Sequence, residues 1–155
     1  LNINTSKFVE LTSFTHHPFN DWYVLEVPDN WEHASYYNVP LDTLEMYVLH
    51  SLANGQTVAW DGDISEDGFM ANQGVALSPH AFVTQEMRQQ EFESFETTDD
   101  HMMHIIGTAH DADGNFYYIL KNSWGRIGPY QGLIYMSQAY FRSKTVSVVL
   151  FQEKL

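Results

Sequence analysis

"HMMHIIGTAHDADGNFYYILKNSWG", residues 101–125, sets two apolar runs on either side of a breaker, and its reading decides the fold. Both runs are rich in β-branched and aromatic side chains, and the intervening "HDADG" followed by Asn115 has the chemistry of a tight reversal. The pattern predicts an antiparallel hairpin. Its second strand ends in "KNSWG", residues 121–125, where an asparagine stands as the strand should be passing into the interior. The hairpin brings His101, at the mouth of the first strand, across to the end that carries Asn122. An imidazole that takes and returns a proton works best when a further group fixes its ring, and a neutral amide does so without adding charge. Trp124 shares a pleat face with Asn122 and is placed to cover the amide, while Gly125 lets the chain turn closely. On the residues alone a second reading stands beside this one, in which Asn122 and Ser123 simply close a strand end under a core tryptophan. His104, an odd number of positions from His101, is predicted to face the other side of the sheet.

Working outward, "FVELTSF" (8–14) and "WYVLEV" (22–27) read as strands separated by the breaker-rich "THHPFND". From Pro40 onward Leu41, Leu44, Val48 and Leu52 follow helical spacing, with Asp42 in the first turn and Asn54-Gly55 as the stop. "QTVAWDGD" (56–63) is a short strand running into an acidic turn, followed by an irregular glycine-bearing stretch to about residue 83. The segment 83–100 reads as a short helix or ordered loop that becomes acidic. "GLIYM" (132–136) and "TVSVVLF" (145–151) are further strands, with "SQAYFR" (137–142) as one helical turn. One main helix among many short strands predicts a single α+β domain over 1–155, built on an antiparallel, barrel-like sheet.

The 155 residues, 44% apolar and 15% aromatic, suffice for one packed core. Seven basic against twenty acidic residues give a formal charge of -13, which argues against binding nucleic acid or an anionic membrane. No window approaches a membrane span, and the chain starts at Leu1 instead of Met, so a mature, trimmed or truncated product is expected. There is no cysteine, hence no disulfide, thiolate metal site or cysteine nucleophile in this chain. No metal is expected at His16-His17, because neighbours on a strand point to opposite faces. Asp61, Asp63 and Ser65 lie in calcium-loop register, but Glu66 stands where that loop needs Gly and Asn72 where it needs Glu.

Residues 99–125 resemble the His and Asn region of papain-like cysteine peptidases: an Asp-His pair opens a strand, Gly107 follows six residues after His101, and "KNSWG" carries the Asn. "ELTSFTHHPF", "LEVPDNW", "YNVPLD", "TVAWDGDISEDGF", "TQEMRQ", "ETTDDH" and "SQAYFRSKTVSVV" extend the similarity to the bleomycin hydrolase and aminopeptidase C branch, over nearly the whole chain. The resemblance implies a Cys/His/Asn triad with His101 as general acid and base, Asn122 as its orienter and Trp124 in support. By position in that family, Trp60 and Asp61 fall on the substrate side of the cleft. No cofactor is implied, and the partner is a peptide. The family divides its cleft between a helical lobe bearing Cys and a β lobe bearing His and Asn. The chain therefore reads as the carboxy-terminal lobe, inactive alone, and prone to pair with the missing lobe or with itself. In this branch a terminal tail reaches into the cleft; the residues up to the closing "LFQEKL" (150–155) locate no such tail here. The alternative is a free-standing, non-catalytic domain that binds peptides or a partner. Family members include cytoplasmic and exported forms, so a cytoplasmic or a periplasmic location fits equally.

Overall fold

The structure, a computed structural model, describes residues 4–151. Leu1 and the last four residues of "LFQEKL", where a cleft-directed tail was sought, lie outside the described residues.

After a 3-10 turn over Thr5–Lys7, the strands are β1 (Phe8–Thr12), β2 (Asp21–Val24), β3 (Ser35–Asn38), β4 (Val58–Gly62), β5 (Phe69–Met70), β6 (Val75–Ala76), β7 (His101–His110), β8 (Phe116–Lys121), β9 (Leu133–Ser137) and β10 (Thr145–Phe151). The helices are α1 (Leu41–Ala53), α2 (Gln85–Glu93) and α3 (Gln138–Lys144). The strands form one sheet in the order β2-β3-β1-β10-β4-β7-β8-β9-β6-β5. The class is α+β. Two strand pairs, β1 with β3 and β6 with β9, run parallel, so the sheet is mixed where an antiparallel one was expected. Two helices accompany the main one, and "SQAYFR" is the start of a seven-residue helix and not a single turn. Ser137 caps it, its Oγ accepting from the Tyr140 N–H at 3.2 Å.

The 3.6-residue period of α1 puts Leu41, Leu44 and Val48 fully into the core, against β10 and β4. They meet Trp60, Ile105, Tyr118, Leu120, Ile134 and Phe141 in one continuous apolar cluster. A buried carboxylate, Glu45, ties this helix to the rest. It accepts from the Tyr118 hydroxyl (2.8 Å) and Gln138 Nε2 (2.8 Å), and Arg142 Nη1 pairs with it at 2.9 Å. A smaller cluster of Phe14, Leu25 and Val146 lies with Phe92 beneath α2, where Arg88 crosses Phe14 at 4.5 Å and donates to Ser13 O and Arg142 O. Strand β3 was missed in the sequence. It is held by a long-range contact: Asn38 donates to the carbonyls of Phe14, His17 and Pro18 and accepts from the Phe14 N–H.

The predicted hairpin is β7 and β8. Its reversal is organised by Asp111, whose carboxylate accepts from the backbone N–H groups of Asp113 and Asn115. Ile105 pairs with Leu120 but Gly107 with Ile119, so Ile106 is an extra residue in a bulge and the glycine follows it. Among the described residues no helix is long and apolar enough to cross a membrane.

Candidate active site

Strands β4, β7 and β8 lie side by side, and His101 opens β7 opposite Gly62 of β4. Pairing of His104 with Lys121 carries Asn122, one residue beyond β8, onto the same face as His101 and diagonal to it. The two side chains meet. His101 Nε2 is 3.0 Å from Asn122 Oδ1, and Asn122 is only 5% exposed.

The proton on that bond can be assigned. Asn122 Oδ1 also accepts the Ser123 backbone N–H at 2.7 Å, and a backbone N–H can only donate, so the atom facing it must be the amide oxygen. Nε2 must then donate, which leaves Nδ1 of the neutral ring as the lone-pair nitrogen. Nδ1 has no hydrogen-bond partner among the described residues. Asn122 Nδ2 is enclosed without a partner, so the amide is held by its oxygen alone. Trp124 covers the imidazole at 5.0 Å and an angle of 44°, and meets Phe69 edge-on at 6.2 Å, while staying 48% exposed. Gly125 turns the chain away at φ +80°, a conformation that disfavours side chains with a Cβ.

Two features fix the start of β7. Asp63 accepts the Ser65 N–H and hydroxyl with one oxygen (both 2.7 Å) and the Thr98 N–H with the other (2.8 Å), clamping the loop after β4 to the loop before His101. Burial pushes its carboxyl up, but the Ser65 and Thr98 donors outweigh this and hold it below the usual carboxylate range. Asp100 accepts the Ile64 N–H at 3.0 Å. The sequence offered Asp63 only as part of a broken calcium loop. The Asp-Ile-Ser turn was the signal for its real role, but its partner Thr98 is remote in sequence.

Trp60 is not on a substrate side. It is wholly buried and donates its indole N–H to Thr145 Oγ1 at 2.8 Å, because strand alternation turns it inward with Val58. Asp61, the next residue, is partly exposed on the opposite face, beside the 57% exposed Met102 with which it pairs. It abuts Asp99, a residue the sequence did not single out. Asp61 Oδ1 and both Asp99 oxygens are enclosed, the two carboxyl groups are hydrogen-bonded to each other, and Asp99 also accepts from the Asp29 backbone N–H. Burial first, then repulsion from Asp99, pushes the Asp61 carboxyl up to about 8, and burial raises Asp99 too. His104 faces away from His101 and meets Thr57 Oγ1 at 2.9 Å. His16 and His17 lie in a turn and not on a strand, so they do not diverge. Their rings are 4.9 Å apart, with His17 stacked on Tyr23. Among the described residues no three His, Asp or Glu side chains converge to hold a metal ion.

The sheet with its flanking helices has the fold of papain-like cysteine peptidases. PepW of Lactobacillus rhamnosis HN001 superposes with a TM-score of 0.79 at 18% identity, over 99% of this chain and 37% of that one. Residues 1–155 match the Peptidase C1-like family, and the chain belongs to it. Aminopeptidase G of Lactobacillus delbrueckii subsp. lactis is 23% identical over 163 residues, which is 99% of this chain and 37% of that protein. The chain thus spans little more than a third of the length of these relatives.

Proposed function

We propose that this chain is the His- and Asn-bearing lobe of a cysteine peptidase, in which His101 is the general acid and base and Asn122 orients it. The observation that carries this is the bond from His101 Nε2–H to Asn122 Oδ1, which leaves Nδ1 free to exchange a proton. The chain has no cysteine, so the nucleophile comes from a further part of the polypeptide. There, Nδ1 takes the thiol proton, the thiolate attacks the scissile carbonyl, and the C–N bond breaks as Nδ1–H returns the proton to the leaving amine. Water then cleaves the thioester with the same imidazole as base. Similarity to a protein named Aminopeptidase G supports peptides with a free amino terminus as substrates.

The absence of any cysteine also favours a second reading, a non-catalytic domain that keeps the peptide-binding face. The coding sequence upstream of Leu1 separates the two. A continuous reading frame with a Cys-Trp segment in a helical context is the outcome expected for the peptidase; a start codon immediately before Leu1 overturns it in favour of the binding domain.

A further inference from the structure

Asp61 and Asp99 take no part in the proton transfers of His101, yet their place in the chain bears on it. Asp99 stands two residues before His101, in the segment 98–100 that delivers the histidine to β7. Asp61 lies on β4, the strand on which His101 is registered opposite Gly62. The two carboxyl groups are hydrogen-bonded to each other in an enclosed space. Two carboxyl groups can share a hydrogen bond only while one of them keeps its proton; with both ionised, they repel.

We propose that the Asp61 and Asp99 pair positions His101: its shared proton ties segment 98–100 to β4, and loss of that proton frees the ring from Asn122. Both are positioning residues, acting on the imidazole through the backbone of the segment. The other ties of the segment are longer, wetter or more distant from the ring. Asp100 accepts the Ile64 N–H at 3.0 Å in an exposed bond, and its own N–H reaches Gly62 O only at 3.4 Å. Asp63 holds the Thr98 N–H at 2.8 Å and the Thr98 hydroxyl at 3.3 Å, at the end of the segment away from His101. The groups around the pair favour keeping the proton. Asp29 acts on both carboxyls, Tyr36 of β3 lies among Glu10, Asp29, Asp61 and Asp99, and the Ser147 hydroxyl of β10 is a weak donor 3.4 Å from Asp61 Oδ2. Burial, then the charges of Asp99 and Asp29, raise the Asp61 carboxyl to about 8, so the tie is whole below neutral pH and is lost as pH rises through about 8. This role deepens the reading of His101 as the acid-base group and rests on it: a ring released from Asn122 no longer presents Nδ1 in a single tautomer.

The test is nitrogen-15 NMR of the His101 ring in the 155-residue chain from about pH 7 to about pH 9.5, a span that brackets the loss of the shared proton. The tautomer ratio of a neutral imidazole does not itself depend on pH, so a change reports on its surroundings. In the unaltered protein the Nε2–H form should dominate at the lower pH, and its ratio to the other form should fall several-fold as pH rises. Asp61→Asn and Asp99→Asn each leave the pair with a donor and a single charge, and each should hold the ratio constant; either alone suffices if the other fails to fold. Asp113→Asn, in the hairpin turn at the far end of β7, should keep the pH dependence of the unaltered protein. A ratio that favours Nε2–H at the lower pH and stays constant in the unaltered protein, as a mere packing role for the pair requires, would overturn the proposal. So would a pH dependence that persists in both Asp61→Asn and Asp99→Asn. A ratio already mixed at the lower pH would overturn the bond from His101 to Asn122 itself, and the positioning role with it.

Discussion

Asn122 presents one oxygen to two N–H groups, and this fixes the tautomer of His101 without placing a charge beside it. Replacing the amide by an isosteric apolar side chain removes the acceptor and little of the shape. Asn122→Leu should release the ring from its single tautomer, because nothing then holds the proton on Nε2. Nitrogen-15 NMR of the ring in the isolated chain measures this; the same tautomer mixture in both proteins would show that the contact is not made in solution. Much at this scale was legible in sequence. Strand parity separated His104 from His101, and the "KNSWG" segment located Asn122. Trp60 was not legible, since an aromatic residue at a strand end reads equally well as core or cleft until the face of the strand is known. The Asp61 and Asp99 pair could not be read either, because nothing local joins carboxylates 38 positions apart.

The contact between β4 and β7 decides where His101 stands, and two features of β4 make it sensitive. At Gly62, opposite His101, an added Cβ would sit against the Lys144 carbonyl and the Trp60 ring closer than atoms can approach. Gly62→Ala should therefore cost about 2–3 kcal/mol of stability, read from the urea midpoint, since a backbone carbonyl cannot swing aside as a side-chain tip can. An unchanged midpoint would contradict the packing at this position. The second feature is Asp61. The folded state binds its proton more tightly than the unfolded chain does, so stability is greatest below the ordinary carboxylate range and is lost as pH rises through about 8. Asp61→Asn should flatten that loss and gain about 1–2 kcal/mol at pH 8, measured by thermal or urea unfolding across pH 5–9. Parallel curves for the two proteins would contradict it. Helix α1 was legible to within a residue from its apolar period and its Pro and Asn-Gly limits, whereas β3 was not. Four residues, "SYYN", carry too little alternation to announce a strand, and the hydrogen bonds of Asn38 to the 14–18 loop are tertiary.

At the scale of the molecule, a chain with 37% of the length of its relatives presents exposed apolar side chains: Met102 and Ile106 of β7, and Trp124 against His101, are each more than 40% exposed. If the remainder of a longer protein covers them, the isolated chain should self-associate and bind an apolar dye. Light scattering that reports a strict monomer at high concentration, without dye binding, would count against a missing lobe. The α+β class and the hairpin were legible from local patterns, but the parallel pairings of β1 with β3 and β6 with β9 were not, because they join segments through long connections. The most direct measurement is hydrolysis of an aminoacyl-coumarin by the full-length polypeptide, by its His101→Ala variant and by the 155-residue chain. The full-length protein should be active, the variant should lose about 10²–10⁴-fold in kcat, the usual worth of a general acid-base group, and the chain alone should be inactive. Full activity of the His101→Ala protein, or hydrolysis by the chain alone that disappears with His101, would contradict a cysteine peptidase divided between two lobes.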